Sequence, residues 1–140
     1  MKTQAITACA FIRFDGELLI AKRANSKKFL PGKWELLGGH IEFGETVEDG
    51  LRRELREELH VDVKIGCPFH VFTYLSENEG VHNVEIDYLA EIKDQDQKIR
   101  LNPEDHSEFK WISKNEIDEF FEGGDPEKTA IKNGFKLLDK

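Results

Sequence analysis

Cysteine is scarce in this chain. Two cysteines, Cys9 and Cys67, cannot build a disulfide framework, so a reducing cytoplasm is the expected compartment. Long apolar runs are missing too, and no stretch approaches the roughly 20 residues that a bilayer crossing needs. The first residues, Met1-Lys2-Thr3-Gln4-Ala5, lack the charged, apolar and cleavage segments of a secretory leader. Positive charge is in short supply. The 20 Lys and Arg face 28 Asp and Glu, and the net charge of −8 argues against a general nucleic-acid surface. Such a chain should also repel phosphate, unless bound divalent cations invert the local field. No repeat, low-complexity segment or linker breaks the sequence, so a single domain over residues 1–140 is expected. What is present suffices for a core: 39% hydrophobic residues, with ten Phe and two Trp.

Strand and helix signals alternate along the chain. Thr3 to Phe14 is rich in β-branched and aromatic residues, and Asp15-Gly16 is a hairpin turn signal leading to a returning strand, Leu18 to Arg23. A polar loop, 25–33, carries Lys27, Lys28 and Lys33 around Pro31-Gly32. Trp34 to Leu37 reads as a short strand delivering the chain to a glycine loop at Gly38-Gly39. Thr46 with Asp49 opens a helix running to about Leu59. Phe69 to Leu75 and Val81 to Ile92 read as a hairpin around Asn78-Glu79-Gly80, with Val84, Ile86, Tyr88, Ala90 and Ile92 alternating. An acidic loop, 102–108, precedes a short strand, Phe109 to Ile112. Ser113 with Glu116 caps a short helix to about Phe121, and Asp125-Pro126 starts a last helix whose apolar face is Ile131, Phe135 and Leu138. This order suggests an α/β or α+β layer structure with a mixed sheet.

The first helix concentrates carboxylates. Val47, Leu51, Leu55 and Leu59 make its buried stripe. At about 100° per residue, Glu54 and Glu58 flank that stripe and Glu57 lies just beyond, so the three share one arc. An unpaired carboxylate beside the apolar side is costly, and like charges at these spacings destabilise a helix by roughly 0.2–0.5 kcal/mol per pair. Arg53 is expected to point to the far side of Glu57, and Arg56 to the opposite flank. Converging hard oxygens are what Mg²⁺ or Mn²⁺ requires. A merely solvated acidic face is the alternative that the helix alone leaves open.

The loop and helix together are more specific. Gly39, five residues, Glu45, seven residues, then Arg53-Glu54-Leu55, one residue, Glu57-Glu58, one residue and His60-Val61 resemble the Nudix box, Gly-x5-Glu-x7-Arg-Glu-U-x-Glu-Glu-x-Gly-U with U aliphatic. One defined position departs: His60 stands where the family has glycine. Histidine tolerates a left-handed backbone better than most residues, so an intact site is expected. Leu37 replaces a proline common in the family.

The resemblance implies an αβα sandwich with a mixed β-sheet, and a Mg²⁺-dependent hydrolase (Mn²⁺ also fits) acting on a nucleoside diphosphate linked to another moiety. Residue by residue, it makes Glu54, Glu57 and Glu58 the metal-binding carboxylates, with Gly38 offering a carbonyl and Glu45 pairing with Arg53. The general base it implies is Glu54 or a carboxylate of the 102–108 loop, Glu104 first, then Asp105 and Glu108. Arg23 and Gly39 would meet substrate, with Lys33, Lys27 and Lys28 assisting. Trp34 and Trp111 are candidate stacking surfaces for a base, with core packing equally open, and Phe72 and Tyr74 share that ambiguity. Cys67-Pro68-Phe69-His70 lacks a second pair for zinc and reads as structure.

The expected reaction is that of the MutT-like branch: a nucleoside triphosphate cut to monophosphate and pyrophosphate by water attack at phosphorus. A nucleotide sugar or dinucleotide is the enzymatic alternative, and a nucleotide-binding regulator the non-enzymatic one. The expected partner is thus a small-molecule nucleotide, with no membrane. A homodimer, common among relatives, has no signature of its own in these strands.

Overall fold

A computed structural model describes residues 2–76, 80–94 and 96–139. Strand β1, Thr3–Phe14, turns at Asp15 and Gly16 into β2, Glu17–Arg23. Both turn residues have positive φ, 51° and 80°, the backbone that a two-residue hairpin requires. Two short strands follow, β3 at Trp34–Glu35 and β4 at Leu37–His40. Helix α1 spans Val47–Leu59, and strands β5, Val63–Ser76, and β6, Val81–Ile92, come next. Strand β7 is His106–Ile112, followed by a single 3₁₀ turn, α2 at Ile117–Phe120 and α3 at Pro126–Leu138.

The strands run β3-β2-β1-β6-β5, with β4 paired to β1 and β7 paired to β2. The sheet is mixed: β1 and β6 are parallel over eleven register pairs, while the other pairings are antiparallel. Helices cover both faces. Leu51, Leu55 and Leu59 of α1 pack on Ala8, Ala10, Ile12 and Tyr88. Ile131 and Phe135 of α3, with Ile117 and Phe121, pack on Phe11, Leu18 and Ile20. A Cβ at Gly134 would run into the Phe11 ring, so that glycine lets α3 sit close to the sheet. The expected αβα layering is thus observed.

Local signals explain the helix ends. The Thr46 side chain accepts the Asp49 N–H at 3.1 Å. Helix α1 ends at His60 in the left-handed region, φ 59° and ψ 37°. Its imidazole Nδ1 lies 2.6 Å from the Arg100 carbonyl, a contact that glycine could not make. Ser113 and Glu116 form the expected capping box, and the Asp125 side chain accepts the Glu127 N–H at 2.9 Å.

Two expectations need correction. Gly38 and Gly39 lie in strand β4, not in a loop, and pair with Cys9 and Ala8. The 102–108 loop is shorter than expected, because His106 to Glu108 already belong to β7 and pair with β2. The hairpin joining β5 and β6 forms as expected, but Asn78 and Glu79 at its tip lie outside the described residues.

Candidate active site

Strand β4 and helix α1 meet through glycine. A Cβ at Gly39 would overlap the Glu54 carboxyl and displace it, so glycine here lets that carboxyl lie against the strand. The Gly38 N–H donates to Glu58 Oε1 at 2.9 Å. Glu58 is buried, Glu54 is half-buried and Glu57 is exposed. Burial raises the Glu58 carboxyl well above the usual carboxylate range, and the charges of Glu35 and Glu54 push the same way. Burial also raises Glu54, against the opposing pull of Arg53.

Arg53 does not point away from this cluster, contrary to the helical-wheel expectation. Its Nη1 donates to Glu54 Oε1 at 2.9 Å and lies 3.5 Å from Glu57 Oε2. A wheel places the Cβ, but a guanidinium on three methylenes reaches beyond its own arc. The same side chain grips Glu45 and the His40 carbonyl. Hydrogen bonds from Arg53, then from the Glu42 N–H, hold the Glu45 carboxyl down at about 2.

Behind Glu58 lies a buried imidazole. His106 Nε2 is 2.9 Å from Glu35 Oε2, and its Nδ1 faces Glu58 Oε2 at 3.6 Å. That Nδ1 has no hydrogen-bond partner among the described residues. Glu35 in turn pairs with Arg23 at 3.2 Å. A line of side chains from β2, β3 and β7 thus ends on the acidic helix.

These groups open on a cavity of about 810 Å³, lined among others by Arg23, Lys33, Gly38, Gly39, Glu54, Glu58, Glu104 and Asp105. Phe72 and Tyr74 also line it, which resolves their ambiguity toward the cavity. Trp34 does not line it. Its indole meets the Phe120 ring edge-on at 5.2 Å on the α3 side. Successive residues of a strand point to opposite faces, so the adjacent Glu35 takes the cavity and Trp34 the core. Trp111 likewise packs near Phe14, with ring centroids 6.1 Å apart. Lys33 lines the cavity but is held by Asp125 at 3.1 Å and Glu127 at 3.6 Å. Arg23 donates to the Phe29 carbonyl as well as to Glu35. Lys27 is paired with Asp105 at 2.7 Å. Glu108 is not among the lining residues.

A second group of acids occupies the α3 side. Cys9, Glu85 and Asp87 are buried, with ligand-type atoms within 4.8 Å of one another. Buried Glu127 lines the cavity beside them and accepts the Leu36 N–H at 3.1 Å. Burial raises Glu127 and Glu85 well above the carboxylate range, and lifts Asp87 to about 7.

Comparison with known proteins shows the family. The family model described as NUDIX domain matches residues 1–133. The chain belongs to the NUDIX family. A nucleoside triphosphatase NudI of Escherichia fergusonii is 48% identical over 56 residues, which span 40% of each chain. A MutT NUDIX hydrolase of Burkholderia pseudomallei superposes with a TM-score of 0.76 at 25% identity, covering 93% of this chain and 97% of that one. A MutT protein of Methanosarcina mazei gives 0.78 at 24% identity, covering 99% and 97%.

NUDIX hydrolases use a divalent metal, and the α1 cluster suits one. Its donors are carboxylate oxygens, hard ligands for a hard cation. Burial and then the charges of Glu35 and Glu54 raise the proton affinity of Glu58, and among the described residues no Lys or Arg ion-pairs with it, so a cation would find it uncompensated. Sequence reasoning missed Glu35, His106, Glu85, Asp87 and Glu127. Glu85 and Asp87 carried one signal, a pair of acids at alternate positions in a strand otherwise rich in apolar residues. Among the described residues no helix is long and apolar enough to cross a membrane.

Proposed function

We propose that this NUDIX protein hydrolyses a nucleoside triphosphate to the monophosphate and pyrophosphate. The observation that carries the reading is the meeting of Glu54 and Glu58 with the Gly38-Gly39 strand at the wall of a nucleotide-sized cavity. The name of the E. fergusonii relative supports the triphosphate class over the shared 56 residues.

In this reading Glu54, Glu57 and Glu58, with the Gly38 carbonyl, would hold Mg²⁺, or Mn²⁺ in its place. When bound, the ion neutralises diphosphate charge and stabilises the charge that develops at phosphorus. The chain's own groups do the rest. Arg23, which lines the cavity, offers guanidinium hydrogens to phosphate oxygens. Glu54 takes the proton of the attacking water, because burial makes its carboxylate a better acceptor than an exposed one. Glu104, at the cavity edge, is the second acceptor within the same space. Arg53 and Glu45 fix the loop that carries Gly39 to Glu45. The free thiols of Cys9 and Cys67 suit a reducing cytoplasm.

The test is a panel of ribo- and deoxyribonucleoside triphosphates, nucleotide sugars and dinucleotides incubated with the protein and Mg²⁺. Release of pyrophosphate with monophosphate from triphosphates is expected. Release of orthophosphate alone, or turnover confined to sugars or dinucleotides, would overturn the triphosphate reading.

A further inference from the structure

The cavity has two chemically different ends. One carries Gly38, Gly39, Glu54 and Glu58, with Arg23 joined to Glu58 through Glu35 and His106. The other is formed by Cys9 of β1, Glu85 of β6 and Glu127 of α3, with Phe72 and Tyr74 of β5 beside them. Phe72 is the register partner of Glu85, which places an aromatic ring next to that carboxyl. The Tyr74 ring stacks on Phe29, with centroids 6.1 Å apart and 17° between planes, and extends the aromatic wall.

Among the described residues, this second end offers no free cation to draw a phosphate. Glu85, Asp87 and Glu127 are all more than nine-tenths buried there. The nearby cation, Lys33, is already held by Asp125 and Glu127. The polar neighbours are also committed: Thr7 Oγ1 donates to Asn83 Oδ1 at 3.4 Å, and His40 Nε2 lies 3.1 Å from the same oxygen. Glu85 is not fully committed. Its Oε2 is buried without a close hydrogen-bond partner among the described residues, and its nearest polar neighbour is the buried carboxyl of Asp87, toward which it turns its proton. A lining carboxyl with unmet hydrogen-bonding capacity, set in an aromatic-walled cavity, suits a planar ligand that brings N–H donors.

We propose that this end holds the nucleobase and selects bases that carry an exocyclic amino group, with Glu85 as the acceptor of the amino N–H. The proposal rests on the nucleotide reading above. The proton that burial keeps on Glu85 is turned to Asp87, so the carboxyl still presents an acceptor to the base, and a base with a carbonyl or hydrogen at that place leaves it unpaired. Sites built to meet a donor discriminate strongly against its absence.

Two substrate pairs isolate the amino group. GTP and ITP differ only by the 2-amino group, while CTP and UTP exchange an amino group for a carbonyl. With Mg²⁺ present, kcat/KM should favour GTP over ITP and CTP over UTP by at least ~10-fold. Glu85→Gln adds an amide donor in the same shape, and the preference should shrink toward unity through a higher KM for GTP and CTP. Calorimetric binding of GMP against IMP to the unaltered protein gives a reading independent of catalysis and of how the variant folds. Tighter GMP binding in a protein that hydrolyses no triphosphate would uphold the base site and sink the reaction. Equal kcat/KM within both pairs, or equal or absent GMP and IMP binding, would overturn the proposal. So would a stoichiometric Zn²⁺ ion retained by the purified protein and lost in Cys9→Ser, because it would occupy the Glu85 and Asp87 oxygens.

Discussion

Arg53 holds Glu45 in a fork, Nε to Oε2 at 3.1 Å and Nη2 to Oε1 at 2.6 Å. Glu45 also accepts the Glu42 N–H at 2.7 Å. The pair therefore ties helix α1 to the turn that follows β4, and the same guanidinium reaches Glu54. Lysine cannot make the fork. Arg53→Lys should lower kcat by about 10- to 100-fold, the range that follows loss of groups orienting a metal's ligands. Steady-state kinetics with a melting curve check this, and a kcat within twofold of the parent would show that the fork does not orient the site.

The α1 carboxylates carry the reaction in the proposed reading. Glu57→Gln and Glu58→Gln should each reduce turnover at least ~100-fold, the scale of losing a transition-state charge stabiliser. Circular dichroism should show the fold retained. Near-normal rates in both would rule out the metal role. Comparing pH–rate profiles of Glu54→Gln and Glu104→Gln assigns the base: the acidic limb should vanish in the first and persist in the second.

His106 touches Glu58 and Glu35 from behind and reaches no surface of its own. It is a positioning residue. In His106→Gln, the Mg²⁺ concentration for half-maximal rate should rise by about 10-fold or more, with kcat at saturating Mg²⁺ reduced less. An unchanged Mg²⁺ titration would mean that His106 serves packing alone.

Repulsion within the α1 cluster also predicts a stability effect. Saturating Mg²⁺ should raise the melting temperature, because it binds the folded arrangement and not the dispersed carboxylates. EDTA should reverse the shift. An identical melting temperature with and without metal would count against a preformed site.

Asp87 sets a pH dependence of opposite sign to that of an ion-paired acid. Burial raises its folded value to about 7, from an ordinary value of 3.8. The folded chain then keeps a proton that the unfolded chain releases. That contribution is complete below the ordinary carboxyl value and is lost as pH rises toward about 7, at up to ~1.4 kcal/mol per pH unit. Urea unfolding at about pH 5 and about pH 8 should show the decline, and Asp87→Asn should make it shallower, the remainder coming from buried Glu58, Glu85 and Glu127. A parent protein equally stable at both would refute the assignment.

Much of this molecule was legible along the chain because its signals are local. The Asp15-Gly16 turn, the Thr46 and Ser113 caps and the four-residue stripe of α1 depend on neighbours within one turn of backbone. The box spacing brought Glu45, Arg53, Glu54, Glu57 and Glu58 into view before any fold was known.

The other half of the cavity depends on what covers each strand. In β6, the alternation of Val84, Ile86 and Tyr88 announced one apolar face and carried no statement about the other. Helix α3 covers that second face, so Glu85 and Asp87 are buried too. Trp34 and Glu35 show the same dependence, since the pleat decides which of two neighbours meets the cavity. His106 and Glu58 are far apart along the chain and meet only because β7 pairs with β2 beside α1. By itself the sequence determined the elements, their caps and the acidic helix, through backbone preference and spacing. Only the tertiary structure decided which acids lose water, because burial on a sheet with two covered faces is a property of the layers and not of the strand.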